Sequence, residues 1–276
     1  MGRAVSAVLD ARPDAVVAAR FDRGEIPDLK LCDVVIDFSM PEASVELAHL
    51  AASHGGPALV IGSTGFTPDQ EVEIEKAAEQ VAIVRSGNFS LGVNVLIGLV
   101  ERAAQRLDAT DWDIEVLETH HRRKVDAPSG TALMLGEAAA LGRGQTLADV
   151  RGRPRDGVTG ERTIGEIGFA ALRAGGVIGE HSVIFASDDE VLTLSHSAID
   201  RSLFAKGAVV AAAWVRGRPP GLYDMQDVLG SAGSRPKSVQ LDAWPLSSDF
   251  GPGFSESLIH GIGGIAKAVP PQPIRL

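Results

Sequence analysis

The chain has little that could cross-link it or anchor it. Its single cysteine, Cys32, excludes an internal disulfide and suits a reducing cytoplasm. No run of 18 or more apolar residues is present, so no membrane span is expected. No charged n-region and apolar h-region open the chain, so no secretory signal is read there. Basic residues are the minority, 26 Lys and Arg against 36 Asp and Glu, which argues against a nucleic-acid partner. Aromatics are only 5%, whereas Ala, Val, Leu and Gly dominate, a composition suited to close helix–sheet packing in an α/β enzyme. A length of 276 residues allows one large or two modest domains with a full core.

Against this acidic background one basic stretch stands out, Glu118-Thr119-His120-His121-Arg122-Arg123-Lys124-Val125-Asp126-Ala127-Pro128-Ser129-Gly130-Thr131. It leaves a strand expected over 113–119 and enters a helix with Ser129 as N-cap. Five groups that are or can become cationic point to a small anionic ligand. A Lys and a His close together can donate a proton and stabilise developing negative charge. Ser129, Gly130 and Thr131 offer backbone N–H groups at a helix N-terminus, a ready carboxylate site. Gly130 lets a ligand approach the backbone closely. Taken singly, each residue also fits a solvated charge run. Adjacent His120 and His121, without Cys or a His-x-x-x-His spacing, do not point to a metal.

The whole stretch resembles the signature of the 4-hydroxy-tetrahydrodipicolinate (dihydrodipicolinate) reductase family. The resemblance implies His120 and Lys124 as proton donors, and His121, Gly130 and Thr131 as binders of a cyclic dicarboxylate. It also implies NADH or NADPH as cofactor and a homotetramer as the assembly.

The remainder of the chain agrees with a dinucleotide-binding α/β fold of Rossmann type. Such a fold opens with a strand and a Gly-rich turn. Here Met1-Gly2-Arg3 runs directly into a helical pattern through Val5, Val8 and Leu9. Met1 to Arg3 resembles the end of the family's Gly-x-x-Gly-Arg-Met-Gly-Arg, which places Met1 at the cofactor and leaves the first strand missing. Either an internal Met has been taken as the start, or the product is short; the intact remainder favours the first. A strand over 15–21 ends at Asp22-Arg23, where an acid can hold ribose hydroxyls and an Arg a 2′-phosphate. The pair leaves NADH or NADPH open, and an ordinary turn ion pair is the alternative.

Strands are expected over 33–39, 58–61 and 81–84, with helices from Pro41 to about 53 and from Pro68 to about 80. The strand ends carry Gly62-Ser63-Thr64-Gly65-Phe66 and Ser86-Gly87-Asn88-Phe89-Ser90. By resemblance, Gly62, Ser63, Thr64, Ser86, Gly87, Asn88 and Phe89 contact the cofactor. A helix over 91–107 leads into a second domain. Polar, Gly-rich 142–160 is expected to be a mobile loop. Three strands between about 165 and 196, with a hairpin at Asp188-Asp189, imply a mixed sheet with one open face. A helix over 202–216 returns the chain to the first domain.

The expected organisation is therefore a dinucleotide-binding domain of residues 1–90 and 201–230, and an α+β substrate and oligomerisation domain of 91–200. Twelve of the last 46 residues are Pro or Gly and no sustained period appears, so 231–276 is expected to be a disordered tail. The implied activity is NAD(P)H-dependent reduction in lysine and diaminopimelate biosynthesis. The alternative, supported by the missing strand, is an inactive truncated remnant that oligomerises or binds ligand.

Overall fold

A computed structural model describes residues 1–22, 25, 28–230 and 263–268. The chain runs α1 (Gly2–Asp10), β1 (Ala15–Phe21), a 3-10 turn (Leu29–Leu31), β2 (Val34–Asp37), α2 (Pro41–Ser53), β3 (Ala58–Ile61), α3 (Pro68–Ala78) and β4 (Ala82–Arg85). It continues with α4 (Leu91–Arg106), β5 (Asp113–His120), α5 (Gly130–Gly142), α6 (Leu147–Val150), β6 (Ile167–Arg173), β7 (Glu180–Ala186) and β8 (Val191–Ser197). Last come α7 (Ser202–Val215), β9 (Gly221–Tyr223), α8 (Met225–Val228) and β10 (Gly263–Ala268). Two compact units result: Met1–Phe89 with the described residues from Phe204 on, and Ser90–Leu203.

Local chemistry sets the helix starts. Pro41 and Pro68 occupy first-turn positions, where a missing N–H costs nothing. Thr67 and Gln70 form a reciprocal capping box. Ser90 and Ser129 cap α4 and α5 by accepting from Val93 N–H and Ala132 N–H.

The first unit holds a six-stranded sheet of order β1-β10-β2-β3-β4-β9. β2, β3, β4 and β9 are parallel neighbours. Every residue of β2 is buried, as a parallel strand covered on both faces requires. Val35, Leu59, Ile61 and Ile83 pack with Leu47, Ala48 and Ala51 of α2 and with Ile74, Ala77 and Ala78 of α3. β10 lies between β1 and β2, antiparallel to both. This segment departs from the expectation of a structureless tail: its backbone satisfies strand edges that β1 and β2 would otherwise present unpaired. The rest of the tail lies outside the described residues.

The second unit holds a four-stranded mixed sheet of order β6-β5-β7-β8. β5 is parallel to β6 and antiparallel to β7. Ile114, Val116, Val183 and Phe185 form a core with Val93, Ile97 and Val100 of α4 and with Leu135 and Ala139 of α5. After exposed Asp113, β5 alternates between buried and half-buried positions. The period of two that buries Ile114 and Val116 therefore carries Glu118 and His120 onto the same face. The opposite face bears exposed Leu172 and Val191.

The 142–160 segment differs from a free loop. It contains the single turn α6, and Arg155 pairs with Glu115 at 2.7 Å and with Glu166 at 2.6 Å. Arg162 adds a 2.7 Å pair with Asp113. These ties anchor the connection to β5.

Candidate active site

The basic stretch leaves the carboxyl end of β5 and re-enters order at the N-terminus of α5. The backbone ties its start to the β6–β7 turn: Ala174 N–H donates to His120 O at 2.8 Å, and Arg122 N–H to Gly175 O at 3.3 Å. Lys124 N–H closes a turn onto His121 O at 3.0 Å. The Ala127–Pro128 peptide is cis.

His120 is buried, and its Nδ1 lies 2.5 Å from Glu118 Oε2. Burial raises the Glu118 carboxyl, but hydrogen bonds from Arg173 and His120 outweigh it and hold the group below the ordinary carboxylate range. Glu118 is therefore ionised at neutral pH, and Nδ1 of His120 carries a proton. That leaves Nε2 as the atom able to exchange one.

Lys124 Nζ pairs with Asp126 Oδ1 at 2.8 Å, and its side chain is 21% exposed. It reaches the surface. Its field extends to His121 and His181, lowering both.

His121 is not one of the cations. Burial first, then Arg123 and Arg201, lowers its pKa. Its Nε2 accepts from Arg201 Nη2 at 3.3 Å. The other nitrogen, Nδ1, is then an N–H donor, and it is buried with no partner among the described residues. A neutral donor aimed at no protein group fits a role in holding an anionic ligand.

Gly130 opens α5, and a Cβ built there meets nothing within 4 Å among the described residues. Its backbone is approachable, as a carboxylate cradle requires. Thr131 lies in the same first turn. The structure thus brings His120, His121, Lys124, Gly130 and Thr131 into one stretch of the second unit.

Three residues given no role by the sequence reading belong to the same cluster. Arg173, at the end of β6, forks onto Glu118 with both bonds at 2.9 Å. His181 of β7 sets its ring edge-on to His120 at 5.1 Å, and its Nε2 meets Ser129 Oγ at 3.1 Å. Burial, reinforced by His120, pushes His181 down to about 4. Glu118 itself was legible, because residues two apart on a strand share a face.

The cofactor candidates lie in the first unit, at the carboxyl ends of parallel strands, where open α/β sheets bind ligands. Gly62, Ser63 and Thr64 follow β3; Ser86, Gly87, Asn88 and Phe89 follow β4. Thr64 and Gly87 are exposed, whereas Ser63, Ser86 and Asn88 are buried. Ser63 Oγ is hydrogen-bonded to Ser44 Oγ, and Ser86 Oγ donates to Asn88 O at 2.8 Å. Phe89 is 1% exposed and meets Phe38 edge-on at 5.6 Å. A Cβ on Gly62 would lie 2.2 Å from the Phe38 ring, which explains the glycine.

Met1 is the N-cap residue of α1, which has no side-chain cap. Asp22 N–H donates to Glu25 Oε2 at 2.7 Å, and Arg23 lies outside the described residues. Asp37 is the carboxylate at the end of β2, and Ser39 N–H and Ser44 Oγ already occupy its oxygens. Hydroxyl and amide groups around an internally satisfied carboxylate fit the polar, uncharged face of a nicotinamide.

Comparison with known proteins follows the same division. The family models described as "Dihydrodipicolinate reductase, N-terminus" and "Dihydrodipicolinate reductase, C-terminus" match residues 24–89 and 92–229. A 4-hydroxy-tetrahydrodipicolinate reductase of Caulobacter vibrioides is 65% identical over 239 residues, 83% of this chain and 93% of that protein. One from Dinoroseobacter shibae is 59% identical over 196 residues, 71% of this chain and 72% of that protein. Among solved structures, dipicolinate-bound dihydrodipicolinate reductase from Paenisporosarcina sp. TG-14 shares the fold. It aligns at a TM-score of 0.65 with 22% identity, over 82% of this chain and 94% of that one. The basic stretch, the parallel nucleotide-binding sheet and these matches agree: the chain belongs to the dihydrodipicolinate reductase family.

Proposed function

We propose that this chain reduces 4-hydroxy-tetrahydrodipicolinate to tetrahydrodipicolinate with NADH or NADPH, releasing water, in lysine and diaminopimelate biosynthesis. The observation that carries the reading is the basic stretch: a carboxylate-held His120 and Lys124 share one loop with the open helix start at Gly130. The names of relatives matching both units support the reaction assigned to it.

The nicotinamide, when bound, supplies hydride. The net change puts that hydride on C4 of the ring while the C4–O bond breaks and the oxygen leaves as water, which consumes one proton. His120 delivers that proton from Nε2, or Lys124 from Nζ, and the two donors stabilise electron density on the ring nitrogen side. Gly130 and Thr131 hold one ring carboxylate through first-turn N–H groups, where the helix dipole favours negative charge. His121 Nδ1–H adds a neutral donor. Thr64, Gly87, Asn88 and the buried serines of the first unit hold the cofactor, with Met1, Asp22 and Arg23 toward its phosphate and ribose parts.

Assembly is proposed as a homotetramer formed through the open face of the mixed sheet, where Leu172 and Val191 are exposed. Cytoplasmic residence is proposed as well. Among the described residues no helix is long and apolar enough to cross a membrane. Cys32 is half-buried, and burial pushes its thiol up to about 11, so it behaves as an inert core thiol. A non-catalytic remnant is not favoured, because relatives 59% and 65% identical to this chain carry the reductase name.

The test is substrate-dependent oxidation of NADH and of NADPH, followed at 340 nm, with dipicolinate added as a competing dicarboxylate. Oxidation that needs the substrate and is inhibited by dipicolinate is the expected result. Binding of cofactor with no substrate-dependent oxidation would return the chain to the remnant reading.

A further inference from the structure

We infer that Glu118 is a positioning residue, which with Arg173 sets the tautomer and the aim of the His120 proton donor. The inference rests on the functional reading of His120 above.

The geometry is that of a hub. The Glu118 side chain has no exposure at all. Its Oε2 accepts from His120 Nδ1 at 2.5 Å and from Arg173 Nη1 at 2.9 Å. Its Oε1 accepts from Arg173 Nη2 at 2.9 Å and from the backbone N–H of Ser129 at 3.1 Å. Arg173 Nη2 reaches on to Asp126 O at 2.5 Å. One carboxylate therefore joins β5, β6, the basic loop and the cap of α5. A buried carboxylate with four donors is electrostatically satisfied, and removing it would leave a half-buried guanidinium without its anion and an imidazole without its guide.

Three consequences follow for His120. Its Nδ1 must be the protonated nitrogen in the neutral ring, so Nε2 is the atom that takes up and gives back a proton. Its ring cannot turn freely, because His181 stands edge-on and Gly179 lies beneath Nε2. A Cβ at position 179 would come within 3.1 Å of that atom. And the Glu118 carboxylate, 2.5 Å from Nδ1, is the anion placed to meet positive charge on the ring. The other charged or titratable groups around the ring are Arg173 on β6, His181 on β7, and His121, Lys124 and Asp126 in the loop.

The experiment is a double-mutant cycle on the full chain, with kcat, KM and the pH profile of kcat as readouts. Glu118→Gln keeps the shape but cannot serve His120 and Arg173 as an anion. It is expected to lower kcat by roughly 10- to 10³-fold, a part of what a positioned acid contributes, while KM moves less than about threefold. The alkaline limb of the profile should shift to lower pH by about one unit, as loss of an adjacent opposite charge predicts. In a His120→Asn background, Glu118→Gln should cost nothing more, because its effect passes through the ring. The cofactor dissociation constant, a property of the other unit, should be unchanged in all variants.

If His120→Asn itself has wild-type turnover, the functional reading of the site fails and this inference with it. If His120→Asn is impaired but Glu118→Gln has no effect, or has the same effect in both backgrounds, only the inference is overturned. Should Glu118→Gln fail to fold, Arg173→Lys decides. It keeps the charge and loses the fork, so it should shift the same alkaline limb, and an unmoved limb would overturn the inference.

Discussion

Adding one methyl group at Gly130 separates function from folding in this protein. The built Cβ meets no atom within 4 Å, and position 130 is the first residue of α5. Gly130→Ala should therefore leave stability unchanged or raise it by up to about 1 kcal/mol, through a lower unfolded-state entropy. The methyl would project where a ring carboxylate must approach the backbone. Loss of one hydrogen bond to a charged group costs about 1.5–3 kcal/mol, which is roughly 10- to 150-fold in KM at tenfold per 1.4 kcal/mol. Gly207 is the control with the opposite signature. A Cβ there would lie 1.6 Å from Phe89 O, a backbone atom that cannot step aside as a side-chain tip can. Gly207→Ala must push α7 from the strand-end loop and should destabilise by about 1–3 kcal/mol or more. Urea melts and steady-state kinetics on both variants read the two signatures. A Gly130→Ala enzyme with wild-type KM would refute the carboxylate cradle; one that melts early would refute the open space at that position.

Lys124→Ala should lower turnover by roughly 10²- to 10⁴-fold with the fold intact, and an unchanged kcat removes Lys124 from the chemistry. Leu172→Glu, on the open face of the mixed sheet, should convert the proposed tetramer to smaller species in light scattering; an unchanged particle size would place any interface elsewhere. The pH dependence of stability has a stated sign. His181 is held at about 4 by burial, below its unfolded value near 6.5, so the unfolded chain binds the extra proton first as pH falls. The stabilisation is full above pH of about 6.5 and is lost toward 4, by about 3 kcal/mol in order of magnitude. Glu118, also depressed, adds to the same acid loss lower down, below the ordinary glutamate pKa of about 4.3. Replacing His181 with Gln should flatten the curve between pH 6.5 and 4 in urea melts; a slope there that survives the substitution would assign the loss to another group.

Much of this protein could be read before any coordinates. Strands at 15–21 and 58–61 and the helix at 41–53 were placed to the residue, because their signals are local: short apolar runs and a Pro at the helix start. The basic stretch was legible for the same reason, since acid, loop and helix cap are contiguous. What stayed hidden depends on register. Arg173 meets Glu118 only because β6 pairs in parallel with β5, setting Glu118 opposite Ala171 and His120 opposite Arg173. His181 enters only because antiparallel β7 brings it opposite Glu118. The Ser44–Asp37–Ser63 cluster likewise joins a strand end, a helix and the next strand's loop. β10 has no sustained period of its own, and its place is decided by the strand edges that flank it. Sequence alone determined which groups the basic stretch carries. Tertiary structure decided which nitrogen of His120 holds the proton and that His121 stays neutral, because burial and through-space charge act over distances that chain order does not encode.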